Sequence, residues 1–327
     1  MINDEVLIGF LSDGSVHSGT DIGLQLGVSR TAIWKRLKKL SALGLVVESV
    51  KGCGYRLSQK VELLDKETMK AHLSDAAKTI IDDLHVLSMT DSTNNYLLER
   101  IKRKQGLAVA NICLAEYQSG GRGRRGRTWT SPYGSNLYLS IDWQFEAGVA
   151  ALEGLSLAVG VVIAGALAEV GVTGVSLKWP NDILVNGAKL GGILIDVRGD
   201  HAGPCRIVVG VGINVNMSKQ SVAIDQLWTD INTICGEVSR NLLAATIIEE
   251  LVALLAAFES TGLKPFVDQW QHLDAFSNQL VDVISGAQKV SGICCGIADN
   301  GALVIDRGGV KQYMHGGELS LRLSRES

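Results

Sequence analysis

The stretch GGRGRRGRTW, Gly120 to Trp129, sets four arginines and four glycines within eight residues of a chain whose formal net charge is −3. Guanidinium groups on a glycine-rich backbone suit three kinds of chemistry. The spacing Gly121-x-Gly123-x-x-Gly126 matches a dinucleotide-binding fingerprint, but that motif needs a helix directly after its glycines. Here TWTSPYGSN follows, and Pro132 and Gly134 cannot open a regular helix. A disordered, nucleic-acid-binding arginine-glycine tract is the second candidate. Such tracts are long, whereas this one is bracketed by the strand-like runs NICLAEYQ and NLYLSIDW. The third is a clamp on a phosphorylated small molecule, in which glycines let the backbone close and arginines give paired donors to phosphate or carboxylate oxygens. The third fits best.

Three further segments could share that task. KWPND, Lys178 to Asp182, joins a strand end to a turn and gathers a cation, an indole and polar groups. KLGGIL sets Lys189 beside two glycines that allow close approach, and GVGIN ends in Asn214. Each has a plain structural alternative. Lys178 could be a surface charge, Trp179-Pro180 a packing corner, and Lys189 a strand-edge lysine that discourages aggregation. Together, several cations on glycine-containing segments point to an anion site.

These segments need a scaffold. From about 65 to 272, strands and helices alternate. NLYLSIDW alternates Leu137, Leu139, Ile141 and Trp143 with polar residues and reads as a half-buried strand; VSLKW does the same. Asn186-Gly187 between two short runs predicts a type I′ hairpin turn. GGILIDVRG and RIVVGVGINVN extend the sheet, and Ala150 to Val170 and Leu242 to Glu259 read as helices. Strands that follow each other directly imply an α/β domain with antiparallel or mixed pairing. Residues 273–327 hold short strands separated by Gly and Asn, the pattern of a small β-barrel.

Residues 1–64 form a separate pattern of helix, turn and helix. Thr20 is placed to cap the first helix, Gly27 to make the turn and Ser29 to cap the second. Ile33, Leu37 and Leu40 make the inward stripe. Arg30, Thr31, Trp34, Lys35 and Lys38 lie outward, and Lys51 sits at the glycine tip of a following hairpin. Between Val28 and Arg56 there are seven Lys/Arg and one acid, Glu48. This is the pattern of a winged helix-turn-helix, whose second helix enters the major groove while basic groups hold phosphates. The plainer alternative is a solvated amphipathic helix.

Whole-chain properties bound the rest. At 327 residues with 46% hydrophobic content, the chain can bury a core and hold two or three domains. No basic region followed by an apolar run opens it, so no secretory signal is expected. The longest uncharged stretch, Gly154 to Ala168, is too short to span a bilayer. The six cysteines show no CxxC spacing and read as buried, reduced thiols of a cytoplasmic protein, without a metal site of their own.

DSTN (Asp91 to Asn94), AEYQSGGRGRRGRTW, KWPND, KLGGIL and GVGIN, in that order, resemble the motifs of biotin protein ligases. With the preceding helix-turn-helix, essentially the whole chain resembles the bifunctional kind, ligase and biotin-operon repressor in one. One departure is Gly191, where the family commonly has Ala, which would loosen the backbone near the site. The resemblance implies a multidomain α+β fold: winged helix-turn-helix, class II synthetase-like mixed sheet, and SH3-like barrel. It implies that biotin and ATP form biotinyl-5′-adenylate with Mg²⁺, and that biotin then passes to a lysine of the biotin carboxyl carrier protein of acetyl-CoA carboxylase. Positions matching Ser92, Thr93, Asn94 and Gln118 would surround biotin's ureido ring, with Arg122, Gly123, Arg124, Lys189 and Gly192 completing that side. Arg124, Trp129, Lys178, Asn181, Lys189 and Asn214 would face ATP. Arg122, Arg124 and Lys189 would supply the positive charge under which the two anions react, Arg124 and Lys189 as catalytic residues, with Asp182 as a metal-holding, positioning or base residue. The ligand-free loop should be mobile, since ordering it costs roughly 1–2 kcal/mol per residue. With adenylate bound, a homodimer would bind operator DNA; no membrane is implied. A lipoate-type acyl-carrier ligase and a non-catalytic biotin-sensing repressor are the alternatives.

Overall fold

The computed structural model describes residues 4–101, 110–199, 203–217, 224–286, 288–316 and 319–324. The first unit comprises α1 (Asp4–Leu11), α2 (Gly19–Gln25), α3 (Arg30–Leu40) and the hairpin β1 (Val47–Val50) with β2 (Gly54–Leu57). Ser29 caps α3 as expected, accepting the Ala32 amide at 3.2 Å. At α2 the cap is Ser18 rather than Thr20. Ser18 is extended, and its oxygen accepts the Thr20 and Asp21 amides, so Thr20 falls inside the first turn. Gly27 turns the chain at φ 65°. Ile33, Leu37 and Leu40 pack on Leu7, Ile8, Leu11 and Ile22.

The central unit runs through α4 (Lys66–His72), α5 (Asp75–Ile80), β3 (Ile81–Thr90), α6 (Thr93–Ile101), β4 (Ala110–Gln118), β5 (Asn136–Phe145), α7 (Leu155–Glu169), β6 (Val175–Lys178), β7 (Asp182–Val185), β8 (Ala188–Gly199), β9 (Cys205–Asn214), α8 (Ile231–Cys235), α9 (Arg240–Thr261) and α10 (Val267–Leu273). Its sheet has the order β3-β4-β5-β9-β8-β7-β6. Only β3 and β4 pair in parallel; the other neighbours are antiparallel. Asn186 and Gly187 turn β7 into β8 with positive φ of 50° and 75°, the type I′ signature.

Two elements differ from expectation. β5 is buried on both faces, not one. Leu137, Leu139 and Ile141 join the main core, while Ser140 on the other face lies under Thr93 and Asn94 at the start of α6. The run Ala150 to Val170 is also not one helix. A single 3₁₀ turn, Val149–Leu152, comes first, and Gly154 at φ 78° separates it from α7. Val149–Glu169 and α9 are long and apolar enough to cross a bilayer by length and composition, yet 50% and 61% of their apolar windows are buried in this core.

The last unit is a five-stranded antiparallel sheet: β10 (Leu280–Ser285), β11 (Gln288–Ile297), β12 (Leu303–Asp306), β13 (Lys311–Met314) and β14 (Leu319–Leu323), ordered β13-β12-β11-β10-β14. Its inner residues Val281, Val283, Leu303 and Leu321 share one hydrophobic cluster with the central unit. Gly317, one of the glycines expected at the turns, lies outside the described residues. Cysteine burial is only half as expected: Cys113, Cys205 and Cys294 are buried, whereas Cys53, Cys235 and Cys295 are exposed, and all six are free.

Candidate active site and nucleic-acid interface

Strand register builds the floor of the site. Tyr138, Gly212, Gly192, Asp182 and Lys178 form one row across β5, β9, β8, β7 and β6. Ser140, Gly210 and Leu194 form the next row. Residues of the opposite face, such as Leu139, Val211 and Ile193, lie in the hydrophobic core. The glycines lower the floor. A Cβ on Gly212 would come within 2.7 Å of the Trp129 ring, and one on Gly210 within 2.2 Å of Asn94 Oδ1. Above this floor lies a cavity of about 620 Å³, within the size range of small-molecule sites.

One end of the cavity is lined by uncharged hydroxyls and amides, with Arg122 the cation beside them. Gln118, ending β4, accepts the Thr93 amide at 2.9 Å and the Thr93 hydroxyl at 3.2 Å, and donates to Ser131 Oγ. Ser92 and Thr93 are nearly fully buried beside it. Asn94 also lines the cavity, but its amide is held by the framework. Nδ2 donates to Asp196 and to the Leu194 carbonyl, while Oδ1 accepts from Ser140.

The other end is charged. Asp182 lies 2.5 Å from Lys189 Nζ and 2.9 Å from Lys178 Nζ. Burial by itself would raise the Asp182 carboxyl; Lys189 and Lys178 more than offset this and hold it below the usual carboxylate range. Asp182 is therefore an ionised anchor that fixes two ammonium groups, and a weak proton acceptor. Arg124 donates to Asn181 Oδ1 at 3.2 Å, and Asn181 Nδ2 reaches the Ile193 carbonyl at 2.7 Å. Burial lowers the Arg124 guanidinium from its usual value, with Asp182 acting in the opposite sense; it remains a cation at any physiological pH.

The arginine-glycine loop forms the wall between these ends. It folds back on itself as a narrow hairpin: Trp129 donates to the Gly121 carbonyl at 2.8 Å and Gly123 to the Arg127 carbonyl at 2.7 Å. Its tip is one 3₁₀ turn, Arg124–Gly126, with Arg125 at φ 60°. No helix follows it, in keeping with the argument against a dinucleotide fingerprint. Arg125 and Arg127 are exposed. Arg122 turns toward Asn95 Oδ1 at 2.7 Å and Asp196 at 3.4 Å. Trp129 lies over Gly192 and Gly212, with Lys189 Nζ 5.5 Å from its ring centre.

Of the residues expected around the ligands, Asn214 alone misses the main cavity. It lines a side cavity of about 50 Å³ and ties the Thr229 and Lys189 carbonyls together. Trp179 is the packing corner of KWPND, 1% exposed, with Nε1 donating to the Gly301 carbonyl. On the winged helix, Ser29, Arg30, Thr31, Trp34, Lys35, Lys38 and Lys51 are all exposed. Lys38 Nζ lies 3.7 Å from the centre of the Trp34 ring, so the outward indole carries a cation. Arg36 is turned inward and pairs with Asp4.

Three family models cover the chain. Residues 86–214 match the Biotin/lipoate A/B protein ligase family, residues 5–56 an HTH domain, and residues 276–322 the Biotin protein ligase C terminal domain. The chain is 42% identical over 317 residues to the bifunctional ligase/repressor BirA of Salmonella typhimurium, covering 97% of this chain and 96% of that protein. The chain belongs to the bifunctional biotin ligase/repressor family. It is also 41% identical to the BirA of Escherichia coli, covering 97% of this chain and 96% of that protein. A biotin protein ligase from Aquifex aeolicus, solved in complex with biotin and ATP, superposes with a TM-score of 0.62 at 27% identity. It covers 75% of this chain and 100% of that one.

The structure gives Gly191 a part other than loosening the backbone near the site. Gly191 faces the core, away from Gly192. A Cβ there would meet Ile213 Cδ1 at 2.6 Å and the Gly212 carbonyl at 2.8 Å. Sequence reasoning missed Ser140, Asp196, Gly210 and Gly212, whose part appears only once β5, β9 and β8 are in register. It also missed Ser320 and Arg322 of β14, which reach the cavity from the last sheet.

Proposed function

We infer that this biotin ligase and repressor forms biotinyl-5′-adenylate and passes biotin to a lysine of the biotin carboxyl carrier protein of acetyl-CoA carboxylase. The observation that carries this reading is the two-ended cavity: an uncharged hydroxyl-amide end joined to an end holding Lys178, Lys189 and Arg124. A ureido ring offers two N–H donors and one acceptor, which Ser92, Thr93 and Gln118 complement. A dithiolane offers neither an N–H donor nor a carbonyl acceptor to these groups, which disfavours the lipoate alternative.

In the first step a biotin carboxylate oxygen bonds to the α-phosphorus of ATP and pyrophosphate leaves. Two anions must meet, so fixed cations stabilise the transition state. Lys189 and Arg124 are assigned to that charge, Lys178 and Asn181 to the nucleotide, and Trp129 to a flat wall beside it. Asp182 positions both lysines. In the second step the carrier lysine nitrogen bonds to the acyl carbon and AMP leaves. The hairpin loop shields the mixed anhydride from water until then. Among the described residues no three His, Cys, Asp or Glu side chains gather to hold a metal. A Mg²⁺ ion would be carried by the triphosphate, with Asp182 and Asp225 the carboxylates of the cavity lining that would face it. Bound Mg²⁺ would neutralise phosphate charge.

We assign residues 1–64 to operator binding, 65–272 to catalysis and 273–327 to a small domain that completes the nucleotide end through Ser320 and Arg322. β8 beyond Gly192 has no strand neighbour opposite β9 among the described residues. This free edge is the place for a homodimer formed when adenylate is bound. Localisation is read as cytoplasmic.

Incubation with biotin, Mg-ATP and apo carrier tests the reading. Biotinylated carrier and released pyrophosphate are expected, with lipoate a poor competitor. Efficient lipoate transfer would establish the other ligase, and biotin binding without pyrophosphate release would establish a pure sensor.

A further inference from the structure

Asp196 lies outside the cavity lining, yet its carboxylate joins two parts of the site. It stands on β8 in the row Asp142–Val208–Asp196, one step beyond Ser140–Gly210–Leu194. Oδ2 accepts Asn94 Nδ2 at 2.8 Å and Arg122 Nη2 at 3.4 Å.

The first contact sets an orientation. An ionised carboxylate can only accept, so it selects the NH₂ side of the Asn94 amide and turns Oδ1 toward Ser140. Ser140 Oγ lies 2.6 Å from that Oδ1 and 2.7 Å from Thr93 Oγ1, and Thr93 reaches Gln118. Asn94 is 4% exposed and sits against Gly210, where a Cβ would not fit, so the amide has no room to settle elsewhere. The direction of the hydroxyl-amide row is therefore set by Asp196 together with the Leu194 carbonyl, which takes the same Nδ2 at 3.3 Å.

The second contact docks the loop. Arg122 Nη2 is shared between Asp196 and Asn95 Oδ1, and Asn95 Nδ2 is held by Asp91 at 2.7 Å. The first arginine of the hairpin is thereby pinned to α6 and β8 at the uncharged end of the cavity. Arg124, two residues on, is left at the charged end.

We propose that Asp196 is a positioning residue, its carboxylate fixing the Asn94 amide and docking Arg122 so that the biotin end of the site and the loop above it are set together. The proposal rests on the biotin-ligase reading for its kinetic arm only.

The variants are Asp196→Asn, Asp196→Glu, Arg122→Ala and the double variant Asp196→Asn/Arg122→Ala, each checked for a native melting transition. Asp196→Asn raises the KM for biotin by about tenfold or more, as a displaced positioning group does, with the KM for ATP little changed. Asp196→Glu restores most of the loss. The double variant loses less than the product of the single effects, because the two side chains act through one contact. Equal shifts in both KM values, full additivity or an unchanged KM for biotin would overturn the proposal. A second arm needs no substrate. Trypsin cleavage after Arg122 in the ligand-free protein, followed by mass spectrometry against cleavage after Arg125, speeds up in Asp196→Asn. An unchanged ratio contradicts the docking of Arg122. If biotin proves not to be the substrate, the cleavage arm still reads the contact, so the two failures are told apart.

Discussion

Lys189 is the residue on which most of the charged end depends, since it bridges Asp182 and the Trp129 ring. Lys189→Ala and Arg124→Ala should each lower adenylate formation by about 10²–10³-fold, the usual loss when a fixed transition-state donor is removed. Thermal melting should show the fold intact in both. Gly210→Ala addresses the uncharged end: its methyl group would occupy the place of Asn94 Oδ1. The expected result is loss of biotin binding by calorimetry, with nucleotide binding largely kept. The two ends were not equally legible in the sequence. Arg124 and Lys189 stand out because cations on glycine-flanked segments are unusual, and Lys178 because it stands beside an indole and two polar groups in KWPND. Ser140, Asp196 and Gly210 do not, because a serine, an aspartate and a glycine inside strands acquire a common task only when three strands align.

Elements show the same division. The β7–β8 hairpin and the cap and stripe of α3 could be read directly, because each is fixed by local chemistry: two positive-φ residues, one serine oxygen, one apolar spacing. β5 could not. Its polar alternation predicts a solvated face, but Thr93 and Asn94 of α6 cover Ser140, and Asn111 and Arg206 hold Asp142. The capping of α2 by Ser18 rather than Thr20 turns on which residue is extended, a choice two neighbouring hydroxyls leave open. For α3, Arg30→Ala with Lys35→Ala should weaken operator binding and lower its salt slope by about 2. Carrier biotinylation should be nearly untouched, as a filter-binding titration and a ligation assay run together would show.

At the scale of the molecule, the winged helix is tied to the ligase domain by two buried joints. In the first, Arg240, 3% exposed, pairs with Glu116 at 2.8 Å and donates to the Asn136 and Glu62 carbonyls. Glu116 in turn accepts the Leu64 amide. Arg240→Ala would strand a buried carboxylate and should cost about 3–5 kcal/mol in denaturant unfolding. In the second, Tyr133, four residues beyond Trp129, sits in the winged-helix core, takes the Leu43 carbonyl through its amide and meets Ser88 through its hydroxyl. Burial pushes the Tyr133 phenol up to about 12 despite the Ser88 hydrogen bond, against about 10 when unfolded. A raised phenol contributes its stability fully below about pH 10 and loses it as the pH climbs through about 12. Wild-type protein should therefore lose more stability between those values than Tyr133→Phe, measured by urea unfolding at stepped pH; equal losses would contradict the assignment.

The most direct test of the account is biotin-dependent exchange of labelled pyrophosphate into ATP by the intact protein. Exchange is expected with biotin and Mg-ATP, with little supported by lipoate and near-complete loss in Lys189→Ala. Exchange that proceeds equally well with lipoate, or that survives in Lys189→Ala, would contradict it.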